Sequence, residues 1–303
     1  MSIVKLLGLG WGKKMSELIG KKFDVLDHGY VIIRDVMGED KDVAEIARIS
    51  YGQVKNPSEN AGLLDHLMRH RHTSPFEMPV LRFQVKLPIF VERQWVRHRT
   101  CSMNEMSGRY SVMPTEFYVP EVDSIRKQSK TNKQGRDENN LDDHIYGQFA
   151  QGFRQNVERT GYDAFSRYEG AIGTDTAREL ARIILPLGTY TEKVWQMNLH
   201  NLLHFLKLRT DSHAQWEIQQ YANVIEGIVA ELFPLIYGSW KNHVKDAVTF
   251  SADEWAILKA EISNTGPHTQ YEDEAMEDVM GRAVEESSLS KTRKAELKKK
   301  LGL

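Results

Sequence analysis

The run Leu81-Arg82-Phe83-Gln84-Val85-Lys86-Leu87 alternates apolar and polar residues without a break and stops at Pro88. Successive side chains of a strand point to opposite faces, so this period of two describes a strand with one buried face and one wet face. Gly29 to Val36 contains Tyr-Val-Ile-Ile and reads as a second strand. Around these lie helical patterns. Asp40 to Ile49 places Val43, Ile46 and Ala47 at helical spacing, and a second helix runs from about 60 to 70 through Leu63, Leu64 and Leu67. Pro88 suits the first turn of a helix reaching about His98, on which Gln94 and Arg97 share a face. The region 191 to 208 reads as one long apolar-rich helix. Ser212-His213-Ala214-Gln215 reads as a capping box for the next, which carries a stripe of Ala214, Ile218, Tyr221, Ile225, Ile228 and Leu232 that is core or subunit interface. Pro234 ends or kinks that helix. Strands and long helices together indicate an α+β fold.

The chain has 303 residues, enough for one large domain or two small ones. A formal net charge of -2 offers no global attraction to nucleic acid or to an anionic membrane. A single cysteine rules out an intramolecular disulfide and fits a reducing compartment. No apolar run approaches the ~20 residues that span a bilayer. Met1 to Lys14 places its apolar patch before Lys13 and Lys14, the reverse of a secretory signal, so a cytoplasmic location is expected. The expected organisation is an extension over 1–20, one main domain over 21–250 with a polar insertion at about 122–145, and a charged C-terminal extension over 251–303. From about 268 the charged stretch reads as an accessory helix or a solvated tail. Helices resume from about 143, and no internal repeat is present.

Residues 97 to 111 read Arg-His-Arg-Thr-Cys-Ser-Met-Asn-Glu-Met-Ser-Gly-Arg-Tyr-Ser. No ordinary core element has this composition. Arginine forks bind phosphate or carboxylate bidentately and keep their charge. A serine-glycine step lets backbone N–H groups approach an anion closely. A glutamate among these cations can accept from a sugar hydroxyl or a base N–H. The segment reads as a site for a phosphorylated small molecule, with Asn104 to Gly108 in a loop and an extended stretch near Tyr110.

The segment resembles the signature of the flavin-dependent thymidylate synthases: Arg-His-Arg, seven residues, then Ser, with Asn-Glu and Arg-Tyr at fixed offsets. Arg97, His98, Arg99, Ser102, Asn104, Glu105, Ser107, Arg109 and Tyr110 match it. Further blocks are similar in the same order. They are Ala47-Arg48-Ile49-Ser50, His72-Thr73-Ser74-Pro75-Phe76-Glu77, Pro88-Ile89-Phe90-Val91 with Arg93-Gln94-Trp95, Arg182-Ile183-Ile184-Leu185-Pro186, and Leu208 to Glu217. The resemblance covers roughly residues 22 to 250, apart from about 122 to 145. It implies a central, mostly antiparallel sheet flanked by long helices, assembled as a homotetramer with FAD at subunit interfaces. It implies reductive methylation of dUMP to dTMP, with methylenetetrahydrofolate as carbon donor and NADPH reducing the FAD. Gln94, Arg97, Glu105, Ser107, Gly108, Arg109, Arg182 and Arg209 would hold dUMP. Ser50, Ser74, Glu77, Arg97, His98, Arg99, Asn104, Glu105, Asn198, His200 and His204 would hold FAD, with His72 in the flavin site through its context. Arg209 would be catalytic, its guanidinium favouring charge build-up in the uracil ring. His200 stands where some members have arginine and His204 where others have asparagine. Met78 stands where a second histidine often follows the Glu.

Other chemistries have weaker support. His66, His70 and His72 are close in sequence, but no cysteine or carboxylate pair completes a zinc motif, and His-Glu-x-x-His is absent, so no metal is expected. Cys101 falls at a variable position of the signature and reads as a packing residue, not a nucleophile. Ser107 has no neighbouring base. Gly-x-Gly-x-x-Gly and Walker loops are absent, which excludes a Rossmann or P-loop cofactor site. A nucleic-acid-binding module would need a strongly basic domain, and a histidine-based metal hydrolase would need bound zinc.

Overall fold

A computed structural model describes residues 15–50, 52, 60–130, 133–137, 144–264 and 276–303. The alternating run becomes β3 (Val80–Pro88), in the middle of a five-stranded sheet whose other members are β1 (Lys22–Val25), β2 (Gly29–Met37), β4 (Ser102–Glu105) and β5 (Tyr190–Asn198). The strand order is β1-β2-β3-β5-β4, and every pairing is antiparallel. Leu81, Phe83, Val85 and Leu87 are fully buried, as the period required. Burying one such side chain contributes about 1.5–3 kcal/mol. The opposite face is a polar lattice. Arg82 Nε donates to Gln196 Oε1 at 2.9 Å, and Gln84 is shared between Arg34 and Glu192.

The covering helices are α1 (Asp40–Ile49), α2 (Asn60–Arg69), α3 (Ile89–Trp95), α4 (His144–Gly173), α5 (Leu199–Arg209), α6 (Trp216–Leu232) and α7 (Pro234–Trp240). The α6 stripe of Ile218, Tyr221, Ile225, Ile228 and Leu232 packs into the same core as β3, so it is core within one chain. Tyr221 reaches across to donate to the Lys86 carbonyl at 2.9 Å. A Cβ on Gly29 would lie 2.0 Å from the Tyr221 hydroxyl, which leaves room there only for glycine. Phe165 and Tyr168 of α4 form a smaller cluster with Met113, Phe117 and Ala181.

Three local expectations are corrected. The region 191 to 208 is not one helix but β5 followed by α5. In β5 the inward positions are Thr191, Lys193, Trp195 and Met197. Two polar residues at core positions hide the alternation, and nine-residue pairing with β3 overrides helix propensity. Pro88 is the last residue of β3 and the N-cap of α3, which stops at Trp95 and does not reach His98. Residues 212 to 215 make no capping box. Gln215 is the N-cap of α6 without a side-chain cap bond, while Asp211 Oδ1 accepts from the His213 N–H at 2.8 Å.

The described part of the polar stretch at 122–143 opens with a single helical turn at Val122–Ser124, and Gln128 is bridged to Arg136; residues 131–132 and 138–143 lie outside the described residues. Of the N-terminal extension, residues 1–14 also lie outside them, and Leu18 is buried in the main core. A second compact unit begins at Asp246. It contains α8 (Ala252–Asn264), α9 (Met276–Glu286) and α10 (Lys291–Leu301), joined by a small cluster of Val284, Leu289 and Leu297. The charged tail is therefore helical over these spans, with Lys300 paired to Glu254 at 2.8 Å. Among the described residues no helix is long and apolar enough to cross a membrane.

Lys193 is the exception that ties the layers together. Its side chain has no exposure and pairs with Glu92 of α3, itself 6% exposed, while its ammonium lies 4.3 Å from the centre of the Trp95 ring. Burial pushes Glu92 up and Lys193 down, and each partner's charge opposes the other's shift. Breaking one side of such a pair leaves an uncompensated buried charge. Lys193→Met is expected to cost about 3–5 kcal/mol in urea unfolding followed by tryptophan fluorescence, with Glu92→Leu/Lys193→Met less destabilised than either single variant.

Candidate active site

β3 and β5 run antiparallel with Pro88 opposite Tyr190 and Val80 opposite Asn198. Helices α3 and α5 therefore leave opposite ends of the strand pair, and their C-terminal ends meet. Arg209, the last residue of α5, donates from Nε to His98 Nε2 at 3.0 Å and from Nη2 to the Gln94 carbonyl at 3.4 Å. A histidine nitrogen that accepts from a guanidinium carries no proton, so His98 is neutral and protonated on Nδ1. Burial, with the charges of Arg209, His204 and Lys193 added, lowers the His98 pKa to about 4. Its ring sits edge-on to His204 and Phe205, at 6.0 and 4.9 Å between centroids. Burial also lowers the Arg209 pKa, yet a guanidinium remains charged at neutral pH.

The signature segment continues into β4, so Asn104 and Glu105 lie on an edge strand and not in a loop. Glu105 pairs in register with Lys193 and accepts from Thr191 Oγ1 at 2.7 Å. The chain then turns sharply. The N–H groups of Tyr110 and Ser111 both donate to the Ser107 carbonyl, at 3.0 and 3.1 Å, so Tyr110 belongs to a turn and not to an extended stretch. Ser107 Oγ accepts from the Arg109 N–H at 3.3 Å. A Cβ on Gly108 would lie 3.3 Å from Arg182 Cδ and 3.1 Å from Met113 Sδ, so the glycine lets Arg182 close in on this turn. Arg109 pairs with Glu179 at 3.4 Å, both more than half exposed. Arg178 donates to the Tyr110 carbonyl at 3.0 Å. Arg109, Tyr110, Thr176, Arg178 and Glu179 border a hollow of about 430 Å³.

A third group lies between α2, α5 and the single turn Ser74–Glu77. Here His72, Thr73, Phe76, His200, Leu203 and His204 line a cavity of about 120 Å³. Glu77 accepts from Thr73 Oγ1 at 3.1 Å, and Ser74 is exposed beside it. Arg71 and Lys207 also line this cavity and were missed in the sequence. The signal for Lys207 was present, since it follows His200 and His204 on one face of α5. Asn198 is the N-cap of α5. Its Oδ1 accepts from the Asn201 backbone and side-chain N–H groups at 2.9 and 2.8 Å. Ser50 closes α1, apart from these groups in sequence and exposed.

The structure thus brings Gln94, His98, His204 and Arg209 into one cluster that shares His204 with the histidine-lined cavity. Gly108 and Arg182 form a second cluster. Arg97, Arg99 and Asn104 are exposed, and among the described residues their side chains have no hydrogen-bond or ion-pair partner. Met78 is half exposed. Cys101 is partly buried against the core and its thiol donates to the His98 carbonyl at 3.2 Å, a packing role. His66, His70 and His72 gather with ring centroids 4.4 to 6.5 Å apart, but no metal-holding group of three forms among the described residues.

An antiparallel sheet backed by long helices, with exposed arginines and a histidine-lined cavity beside it and no glycine-rich phosphate loop in the sequence, defines an α+β protein of neither Rossmann nor P-loop class. Residues 32–235 match the family model described as thymidylate synthase complementing protein. A flavin-dependent thymidylate synthase from Treponema denticola is 47% identical over 240 residues, spanning 79% of this chain and 89% of that relative. One from Thermus thermophilus is 48% identical over 236 residues, spanning 78% and 84%. The crystal structure of the UMP/dUMP methylase PolB from Streptomyces cacaoi, bound with 5-Br dUMP, superposes with a TM-score of 0.62 at 31% identity, covering 72% of this chain and 97% of that one. This chain belongs to the flavin-dependent thymidylate synthase family.

The His98 environment sets a pH dependence. Its folded pKa of about 4 lies below the ordinary 6.5, so between these values the unfolded chain binds more protons. Stability from this group is present above pH 6.5 and is lost as pH falls towards 4. Thermal melts of the wild type should show a decline over that window, and His98→Asn should flatten it.

Proposed function

We propose that this protein is a flavin-dependent thymidylate synthase that converts dUMP to dTMP by reductive methylation, with methylenetetrahydrofolate as carbon donor and NADPH as reductant of its FAD. The observation that carries the reading is the half-buried Arg209, held by the neutral imidazole of His98 and the Gln94 carbonyl. Neither partner neutralises it. A uracil ring placed against it would meet an oriented cation in a water-poor setting, which stabilises negative charge developing in the ring on the way to attack from C5.

The phosphate of dUMP suits the turn at Ser107 and Gly108 together with Arg109 and Arg182, whose guanidinium is exposed beside the glycine. Gln94, Arg97 and Glu105 complete the nucleotide set. Family membership supports a flavin, and the residues present fit one. The cavity has an apolar floor of Leu67, Phe76 and Leu203 and a polar rim of His72, Thr73, His200 and His204. Exposed guanidiniums at Arg97 and Arg99 suit a pyrophosphate. Ser50, Ser74, Glu77, His98, Asn104, Glu105, Asn198, His200 and His204 are the further residues proposed to hold FAD, which when bound supplies two-electron exchange. The chain itself orients the nucleotide, excludes water and stabilises charge.

The Gly108–Arg182 cluster and the Gln94–Arg209 cluster share no hydrogen bond or ion pair among the described residues. This separation supports a site completed by a second copy, as in the proposed homotetramer. A cytoplasmic location fits the single cysteine. The proposed domain plan keeps a catalytic region over 21–250 between the two extensions.

Visible absorption of the FAD-saturated protein titrated with dUMP tests the reading. Flavin bands that shift with dUMP, and dTMP formation with methylenetetrahydrofolate and NADPH, are expected; absence of flavin binding would overturn it. Arg209→Ala should lower dTMP formation at least about 100-fold while FAD affinity changes only a few-fold. Cys101→Ser should keep most of the activity.

A further inference from the structure

Behind Gln94 runs a chain of hydrogen bonds that the proposed reaction does not use. Glu217, in the first turn of α6, has a side chain only 2% exposed. One carboxylate oxygen accepts from Arg136, in the described part of the polar insertion, and from Tyr118 Oη at 3.3 Å. The other accepts from Gln215 Nε2 at 2.8 Å. Gln215 Oε1 accepts in turn from Gln94 Nε2. Gln94 then receives Arg209 on its backbone carbonyl.

The direction of this chain follows from chemistry. An ionised carboxylate can only accept. Gln215 must therefore turn its NH2 to Glu217 and its carbonyl oxygen to Gln94. Gln94 must answer with its NH2, which leaves its own Oε1 as the outward end. That oxygen has no hydrogen-bond partner among the described residues. Arg136 also stacks over Trp216, 5.6 Å from the ring centre, and sets its positive charge against the buried carboxylate.

We infer that Glu217 and Arg136 are positioning residues that set the polarity of Gln94, so that the nucleotide site presents a carbonyl acceptor to a hydrogen-bond donor of the substrate. The inference rests on the dUMP reading above. Two donors of dUMP carry this chemistry, the N3–H of the base and the 3′-hydroxyl of the sugar. In Glu217→Gln the neighbouring group can donate as well as accept, so both downstream amides are free to reverse. Packing volume is kept. An insertion outside the resemblance to the family would thereby act on substrate selection without touching the nucleotide.

The test is calorimetric titration of dUMP into the FAD-saturated protein. Glu217→Gln is expected to weaken dUMP about 5- to 10-fold, the scale of one hydrogen bond, and to weaken it less than 2-fold in a Gln94→Ala background. FAD affinity should be unchanged. Gln215→Met, which removes the relaying amide and keeps the carboxylate, should give the same pattern if Glu217→Gln folds poorly. The donor is identified by two analogues. If it is N3–H, the wild-type preference for dUMP over N3-methyl-dUMP shrinks in Glu217→Gln; if it is the hydroxyl, the preference over 2′,3′-dideoxyuridine monophosphate shrinks. Unchanged preferences, or equal losses with and without Gln94, would overturn the inference while leaving the proposed function intact. A wild-type protein that binds FAD but not dUMP would overturn the proposed function and this inference with it.

Discussion

The pairing of β3 with β5 is the constraint on which the rest depends. Nine residues of each strand are in register, and this register sends α3 and α5 off opposite ends so that they run back and converge. Helix α3 has only seven residues, too few to hold its shape alone in water. Its position comes from burial of Val91 and Trp95 and from the Glu92–Lys193 pair beneath it. A slip of one residue in the β3–β5 register would turn Lys193 outward and Val194 inward. The Lys193–Glu92 contact would be lost, and with it the placement of Gln94 and His98 against Arg209.

The electrostatics of the site follow from the same convergence. Histidine and arginine side by side would repel if both were charged. Burial resolves the conflict by keeping His98 neutral, so that it can accept from Arg209. On the signature segment the logic differs. Its arginines are exposed and, among the described residues, either unpaired or, like Arg109, in a pair open to solvent. Such cations cost little in water and stay available for an anionic ligand. Gly108 permits the close approach of Arg182 that joins two distant blocks of sequence into one cluster.

Much of this was legible in the chain. The alternation at 81–87, the strand at 29–36, the helices at 40–49 and 60–69 and the stripe on α6 follow from periodicity, because their buried faces are apolar. The two strands missed share one cause. At 190–198, Thr191 and Lys193 occupy core positions, so the period of two does not appear in hydrophobicity. Lys193 can be buried only because Glu92, about a hundred residues earlier, meets it. Similarly, β4 is four residues with no buried side chain, and only its pairing with β5 makes it a strand. Glu217 was visible as part of a block, but nothing local marks it as buried or linked to Arg136.

The sequence by itself determined the family and the α+β class and pointed to the residue types of a candidate site, because those rest on local spacing and on chemistry that each side chain carries with it. Only the tertiary structure decided the protonation of His98, the orientation of Gln94 and the partner of Lys193. These depend on burial and on donors and acceptors brought from distant parts of the chain. A side chain's charge state and hydrogen-bond polarity belong to its surroundings, and surroundings exist only once the strands are in register.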